Sequence, residues 1–282
     1  MLYTKVTHGI RDQVTTVTIE NHYSAIVLSL FGGHLLSFTP KKDQRERLWV
    51  SPRAQFDKRK PIRGGIPVCW PWFAAAPQEF TKELGDIPAH GYARTCDWKI
   101  VEIQESVDNT CVILTPQLET SKNLIPLLKL ELEIVLAETL TVRLRTTNVG
   151  PERSFYAALH SYFAISEIRD TRLIGLDSQY IDKLRNSIQL PAPSPYTFVG
   201  ETDRIHLSDT PCVTIQSKHD TTVINSKGHD SLIVWNPWQE RCLEMADMNE
   251  DSYLTMLCVE TARTQANSLA TGETHVLEQV IR

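Results

Sequence analysis

The sequence predicts an all-β fold of mostly antiparallel strands. Period-2 alternation of apolar and polar residues dominates the chain, turn residues recur about every ten positions, and long amphipathic helical patterns are scarce. Many short strands of this kind fit a large antiparallel sandwich or barrel.

The alternation places the elements one by one. "VTTVTIE" (14–20) and "SAIVLSL" (24–30) read as the first two strands. In "LKLELEIVL" (128–136), Leu130, Leu132, Ile134 and Leu136 share one face, whereas Lys129, Glu131 and Glu133 share the other. That is a sheet with one buried and one wet face. "AETL" turns it into "LTVRLRTTN" (140–148) as a hairpin, and "NVGPERS" (148–154) is a turn. Further strands are expected at 211–216, 221–225, 232–236, 253–260 and 274–281. No repeat, low-complexity tract or long linker divides the chain, and "QLPAPSP" (189–195) is a short, rigid loop, so residues 1–282 are expected to form one domain.

Composition excludes several function classes. With 282 residues, 41% of them hydrophobic, the chain can bury a large core without disulfide or metal staples. A net charge of −5 gives no footprint for nucleic acid or an anionic membrane. No apolar run reaches membrane-spanning length, and "MLYTKVTHGIRDQ" lacks the layout of a signal peptide. The six cysteines are scattered without a C-x-x-C pair, which predicts free thiols in a reducing compartment and hence a cytoplasmic protein.

Two residues stand out on strand faces. In "YAALHSYFAIS" (156–166), alternation puts His160 with Tyr156, Ala158, Tyr162 and Ala164, opposite Phe155, Ala157, Leu159, Ser161, Phe163 and Ile165. Hydrogen-bonding tips interspersed with small residues suit a polar ligand, although a core histidine bonded to a tyrosine has the same pattern. In "YLTMLCVETA" (253–262), Leu254, Met256, Cys258 and Glu260 share a face. Either the strand emerges into water at Glu260, or a buried carboxyl with a raised pKa serves a purpose. An imidazole and a carboxyl together suggest general acid–base work. No G-x-S-x-G nucleophile or paired-carboxylate run is present.

"PIRGGIPVCWPWF" (61–73) sets two glycines after Arg63, a pattern that lets a ligand approach the backbone, or simply a tight turn with a solvated arginine. It is neither a P-loop nor a dinucleotide fingerprint. "IPAHGYARTCDW" (87–98) carries His90 and Arg94; Arg63 and Arg94 suit a shared anion such as phosphate. Trp235 and Trp238 in "VWNPWQE" offer either a sugar-stacking surface or core packing. No metal-ligand spacing connects His90, Cys96 and His160, so no metal is expected.

"RGGIPVCWPWF", "AHGYAR", "ALHSYF", "VWNPW" and "MLCVETA", in that order, resemble the glucose-6-phosphate 1-epimerase (hexose-6-phosphate mutarotase) branch of the aldose 1-epimerase family, from about residue 20 onward. The resemblance implies a galactose-mutarotase-like β-supersandwich and an isomerase that interconverts the anomers of D-glucose 6-phosphate, without a cofactor. It implies His160 and Glu260 as the catalytic pair, His90 and Asp203 (in "GETDRI") as sugar-binding residues, and Arg63 and Arg94 as the phosphate anchor, with Trp235 alongside. The expected partner is the small-molecule substrate alone, with the chain acting as a monomer. One departure is Ala74 in "WPWFAAAP", where this branch usually has glycine. Two rival readings share the fold: an epimerase for unphosphorylated aldoses, which would not need both arginines, and a non-catalytic carbohydrate-binding protein.

Overall fold

Three sheets carry most of the chain. The computed structural model describes residues 3–78, 80–81, 87–118 and 127–282. A four-stranded sheet runs in chain order through Lys5–Arg11, Val14–Glu20, Ser24–Ser29 and His34–Pro40. A nine-stranded sheet places Tyr196–Thr197, Arg172–Ile174, Cys212–Gln216, Thr221–Lys227, Thr274–Ile281, Leu140–Asn148, Leu128–Leu136, Thr110–Pro116 and Trp98–Glu105 side by side. An eight-stranded sheet runs Ile188–Leu190, Tyr180–Asp182, Thr202–Leu207, Ser231–Asn236, Met256–Arg263, Ala157–Leu159 and Val68–Cys69, with Tyr162–Ala164 also paired to Met256–Arg263. A short ribbon pairs Arg153–Ser154 with Ser268–Leu269, and every pairing between these strands is antiparallel. The fold is therefore the all-β, mostly antiparallel one that the alternation predicts.

The strands at 14–20, 128–136, 140–148 and 274–281 fall where alternation places them, and Leu136 faces Leu140 across the expected hairpin. The segment 253–260 differs. Ser252–Thr255 forms a 3₁₀ turn, and the strand begins at Met256 and continues to Arg263, all of it buried. Lys5–Arg11 escaped the pattern because it is exposed on both faces. Thr202–Leu207 escaped because neither face is uniformly apolar: Asp203 and Ile205 line the cleft, while Thr202 and His206 are buried on the other face.

One core cluster draws Ile26 and Phe38 from the four-stranded sheet, Leu132, Leu144 and Leu277 from the nine-stranded sheet, and Leu159, Val234 and Val259 from the eight-stranded sheet. Burying aliphatic side chains between sheets is the dominant stabilisation, at about 1.5–3 kcal/mol for each fully buried Leu, Ile or Val. On the eight-stranded sheet Leu232, Val234, Leu257 and Val259 point into this core, which leaves Ile233, Trp235, Cys258 and Glu260 on its other face.

The tryptophans of "WPW" belong to packing. Trp70 and Trp72 are fully buried, and their indole N–H groups donate to Thr146 Oγ1 and the Pro88 carbonyl. The adjacent glycines also serve the backbone rather than a ligand. Gly64 (φ +109°) and Gly65 (φ +63°) lie so close to neighbouring chain that a Cβ would come within 2.4 Å of the Trp49 carbonyl and 2.2 Å of the Leu35 carbonyl. That contact fixes where Arg63 leaves the turn. The six cysteines are free thiols. No helix among the described residues is long and apolar enough to cross a membrane.

Candidate active site

The strand holding His160 breaks at that residue, yet its register does not change. Leu159 pairs with Thr261 before the break and Tyr162 with Cys258 after it, so His160 stands opposite Glu260. Across the next strands Glu260 pairs with Ile233, and Ile233 with Ile205. The neighbouring row runs Tyr162, Cys258, Trp235, Asp203. Two cross-strand rows on one sheet face thus form the floor of a cleft of about 650 Å³.

Loops build the walls. Arg63, Phe73, Ala74, His90 and Arg94 come from the two glycine-containing segments. Lys183, Glu201, Glu240 and Arg241 come from farther along the chain, the last two on the short helix Trp238–Glu244. All seven residues singled out from sequence, His160, Glu260, Arg63, His90, Arg94, Asp203 and Trp235, line this one cleft. Trp238 does not; it packs against Tyr253.

Glu260 is 1% exposed, which removes the reading in which its strand emerges into solvent. His160 Nδ1 lies 3.3 Å from Glu260 Oε1, but without hydrogen-bond alignment. His160 Nδ1 and Glu260 Oε2 are buried with no hydrogen-bond partner. A core histidine satisfied by a tyrosine is thereby excluded: Tyr162 lies flat against the His160 ring, centroids 4.9 Å apart and planes 7° apart, with no bond between them. Burial, then the nearby Asp203 charge, pushes the Glu260 carboxyl well above the usual range. Burial, His90, Arg94 and Arg63 together hold His160 well below an ordinary imidazole. Burial thus biases the pair toward carboxylic acid and neutral imidazole.

His90 has a fixed tautomer. The Ala74 N–H donates to its Nδ1 at 3.3 Å, so Nδ1 is an acceptor and Nε2 carries the hydrogen. The Cys69 sulfur also lies 3.3 Å from Nδ1. Burial, with Arg94 and Arg63, lowers its pKa to about 3, which makes His90 a neutral hydrogen-bond donor. The backbone N–H of His90 in turn donates to the Ala74 carbonyl at 2.7 Å. Ala74 holds φ +57°, so the loop keeps a conformation suited to glycine despite the substitution. Ala74→Gly should raise stability by about 0.5–1 kcal/mol, read as a higher urea midpoint with unchanged slope. A loss of stability would mean that the Cβ contributes packing that outweighs the strain.

Arg63 donates from Nε to Asp247 Oδ2 at 3.0 Å and from Nη1 to the Tyr162 hydroxyl at 3.0 Å. Burial opposes its charge, but Tyr162 and Asp247 outweigh that and raise its pKa. Arg94 donates to the Ala89 carbonyl, while its Nε is buried without a partner. It forms no salt bridge among the described residues, so its charge is available to an anion.

Tyr162, Asp247 and Lys183 were not singled out from sequence. Tyr162 was in reach, because it shares His160's face in the alternation. Asp247 lies in "MADMNED", where nothing local marks it as an arginine's partner.

Comparison with known proteins gives the chain a family. The sequence profile described as aldose 1-epimerase matches residues 15–282. The chain belongs to the aldose 1-epimerase family. A provisionally named glucose-6-phosphate 1-epimerase from Escherichia coli (strain K12) is 30% identical over 267 residues, covering 93% of this chain and 87% of that protein. One with the same provisional name from Cenchrus ciliaris is 32% identical over 256 residues, covering 84% of this chain and 74% of that protein. The crystal structure of a provisionally named mutarotase from Salmonella typhimurium superposes with a TM-score of 0.89 at 27% identity, covering 98% of this chain and 92% of that one. That superposition gives the two chains the same all-β, mostly antiparallel architecture.

Proposed function

We propose that this member of the aldose 1-epimerase family is a hexose-6-phosphate mutarotase that interconverts the α and β anomers of D-glucose 6-phosphate, with His160 and Glu260 as its acid–base pair. The observation that carries this reading is the placement of two unpartnered titratable groups opposite each other on the floor of a cleft whose walls hold Arg63 and Arg94.

Ring opening removes a proton from the C1 hydroxyl and delivers one to the ring oxygen as the C1–O5 bond breaks. An aldehyde and a C5 hydroxyl result. Glu260 as carboxylate takes the first proton and His160 as imidazolium gives the second. The pair then stands as carboxylic acid and neutral imidazole, the distribution that burial favours. That state matches the open-chain intermediate. Rotation about C1–C2 presents the other face of the aldehyde. Glu260 returns its proton to the carbonyl oxygen as His160 takes the one from O5, and the ring closes. No proton is gained or lost, and no cofactor enters.

The phosphate contributes twice. Anchored by Arg63 and Arg94, it holds C1 between acid and base from a distance. Its negative charge also offsets the two guanidiniums that depress His160, which favours the imidazolium needed for ring opening. His90, through Nε2–H, and Asp203 position the sugar hydroxyls, and Trp235 offers an apolar wall. The free thiols suit the cytoplasm, and we take the chain to act there as a monomer with neither nucleic acid nor membrane as a partner.

The test follows freshly dissolved α-glucose 6-phosphate, and free glucose beside it, by NMR of the anomeric protons. Acceleration for the phosphate alone supports the reading. Acceleration for glucose alone assigns the chain to unphosphorylated aldoses, and none for either favours a sugar-binding protein. Arg94→Ala, the cleaner variant because no carboxylate is ion-paired with Arg94 among the described residues, should raise KM for the phosphate about 10- to 100-fold and barely change that for glucose. Arg63→Ala should do the same while also releasing Asp247. Equal effects on both sugars would place the phosphate elsewhere.

A further inference from the structure

Among the described residues, one group of three His, Cys, Asp or Glu side chains has ligand atoms clustered closely enough to hold an ion: His160, Cys258 and Glu260, all within 4.8 Å of one another. The sheet register explains it. Cys258 and Glu260 are two apart on one strand and share a face, and His160 stands across from Glu260. Cys258 takes no part in the proton transfers; it lies fully buried between Tyr162 and Trp235 in the next row. His160 Nδ1 and Glu260 Oε2 have no protein partner.

We propose that His160, Cys258 and Glu260 form an inhibitory site for a thiophilic divalent cation of the zinc class. Nitrogen, sulfur and carboxylate oxygen are the donors such an ion prefers, and three protein ligands leave a fourth position for water. Tetrahedral zinc places its ligand atoms about 3.4–3.6 Å apart, so the 3.3 Å nitrogen–oxygen approach fits already. The widest pair closes by about 1 Å. Asp203 beside Glu260, and Glu201 and Glu240 on the walls, favour a cation, whereas Arg63, Arg94, Lys183 and Arg241 on the same walls oppose it, so the donor set rather than the field of the cleft carries the site. As the sulfur–metal bond forms, the thiol proton leaves to water, and so does that of the carboxyl. The ion then occupies both members of the acid–base pair, so substrate and metal exclude each other. Magnesium and calcium, which prefer oxygen ligands alone, have no comparable hold.

The proposal goes beyond the mutarotase reading, and its first test does not use activity. Chelator-treated chain is titrated with Zn²⁺ alone by calorimetry, then with Co²⁺ while the near-ultraviolet thiolate-to-cobalt band is followed. One ion per chain and a strong band are expected. Cys258→Ala should abolish the band and weaken Zn²⁺ binding by more than about 100-fold, beyond what loss of a merely supporting group causes. Cys69→Ala, at the other buried thiol near the cleft, should leave both unchanged. If Cys258→Ala does not fold, Cys258→Ser keeps the shape and removes the sulfur. No one-to-one binding, or a band that survives loss of Cys258, overturns the site. On the activity side, Zn²⁺ should suppress anomerisation of wild-type chain while sparing Cys258→Ala, whose turnover in metal-free buffer is unchanged. Binding at Cys258 with turnover intact would overturn the inhibitory role.

Discussion

Replacing Glu260 with Gln, or His160 with Ala, should lower the anomerisation rate constant by about 10²- to 10⁴-fold, the usual contribution of one positioned proton transfer. Glu260→Gln is the sharper test because it keeps the shape of the side chain. It also separates chemistry from folding. Burial raises the Glu260 pKa well above its ordinary 4.5, so the folded chain holds a proton there that the unfolded chain releases. The resulting stability is present below pH 4.5 and is lost as pH rises through the folded-state value. Gln cannot ionise and escapes that loss. The variant should therefore be nearly inactive, yet at pH 8 at least as resistant to urea as the parent. A loss of only a few-fold in rate would remove Glu260 from the proton transfer. Inactivity accompanied by unfolding would show that the carboxyl is structural.

Acidification from pH 7 to pH 4.5 should cost on the order of 5 kcal/mol of unfolding free energy, well before most carboxylates titrate. Two fully buried histidines outside the cleft account for about that much, and His90 and His160 within it add to the loss in the same direction. His34 Nε2 donates to the Gly64 carbonyl at 2.6 Å, and its Nδ1 is buried without a partner. His206 Nδ1 donates to the Ser178 carbonyl at 3.0 Å and its Nε2 accepts from the Tyr196 hydroxyl at 2.8 Å. Burial lowers both to about 4 from 6.5. The unfolded chain thus binds more protons between those values, and stability present above pH 6.5 falls as pH drops toward 4. A shift of that size is worth about 3 kcal/mol for each group. Urea unfolding at pH 7, 6, 5 and 4.5 measures the slope, and a His34→Gln, His206→Gln double variant should flatten it. An unchanged slope in that variant would assign the acid sensitivity to other groups.

The alternating segments were legible because each buries one face and wets the other, as Leu128–Leu136 does. The same alternation put His160 with Tyr162, and Cys258 with Glu260, on the faces where they are found. It misread what happens where function interrupts packing. Thr202–Leu207 looked like a loop because Asp203 and Ile205 share its cleft face while Thr202, Arg204 and His206 take the other, which leaves no apolar period. Of the two readings of the glycines after Arg63, a ligand's approach or a tight turn, the close neighbouring backbone bears out the turn.

Sequence by itself determined local quantities: the strands that alternate, which of their residues share a face, and a resemblance that implied His160, Glu260, Arg63, His90, Arg94, Asp203 and Trp235. Alternation is a property of neighbouring residues, so one chain is enough to read it. Tertiary structure alone decided the pairings between distant segments. It set the register that puts His160 across from Glu260, the partnership of Asp247 with Arg63, and the hydrogen bond from Ala74 that fixes the His90 tautomer. It also decided that Cys258 joins His160 and Glu260 in a cluster whose nitrogen, sulfur and oxygen atoms lie within 4.8 Å of one another. Each of these depends on separations of a few ångströms between residues remote in sequence. Sheet register sets those distances, and no local pattern encodes it.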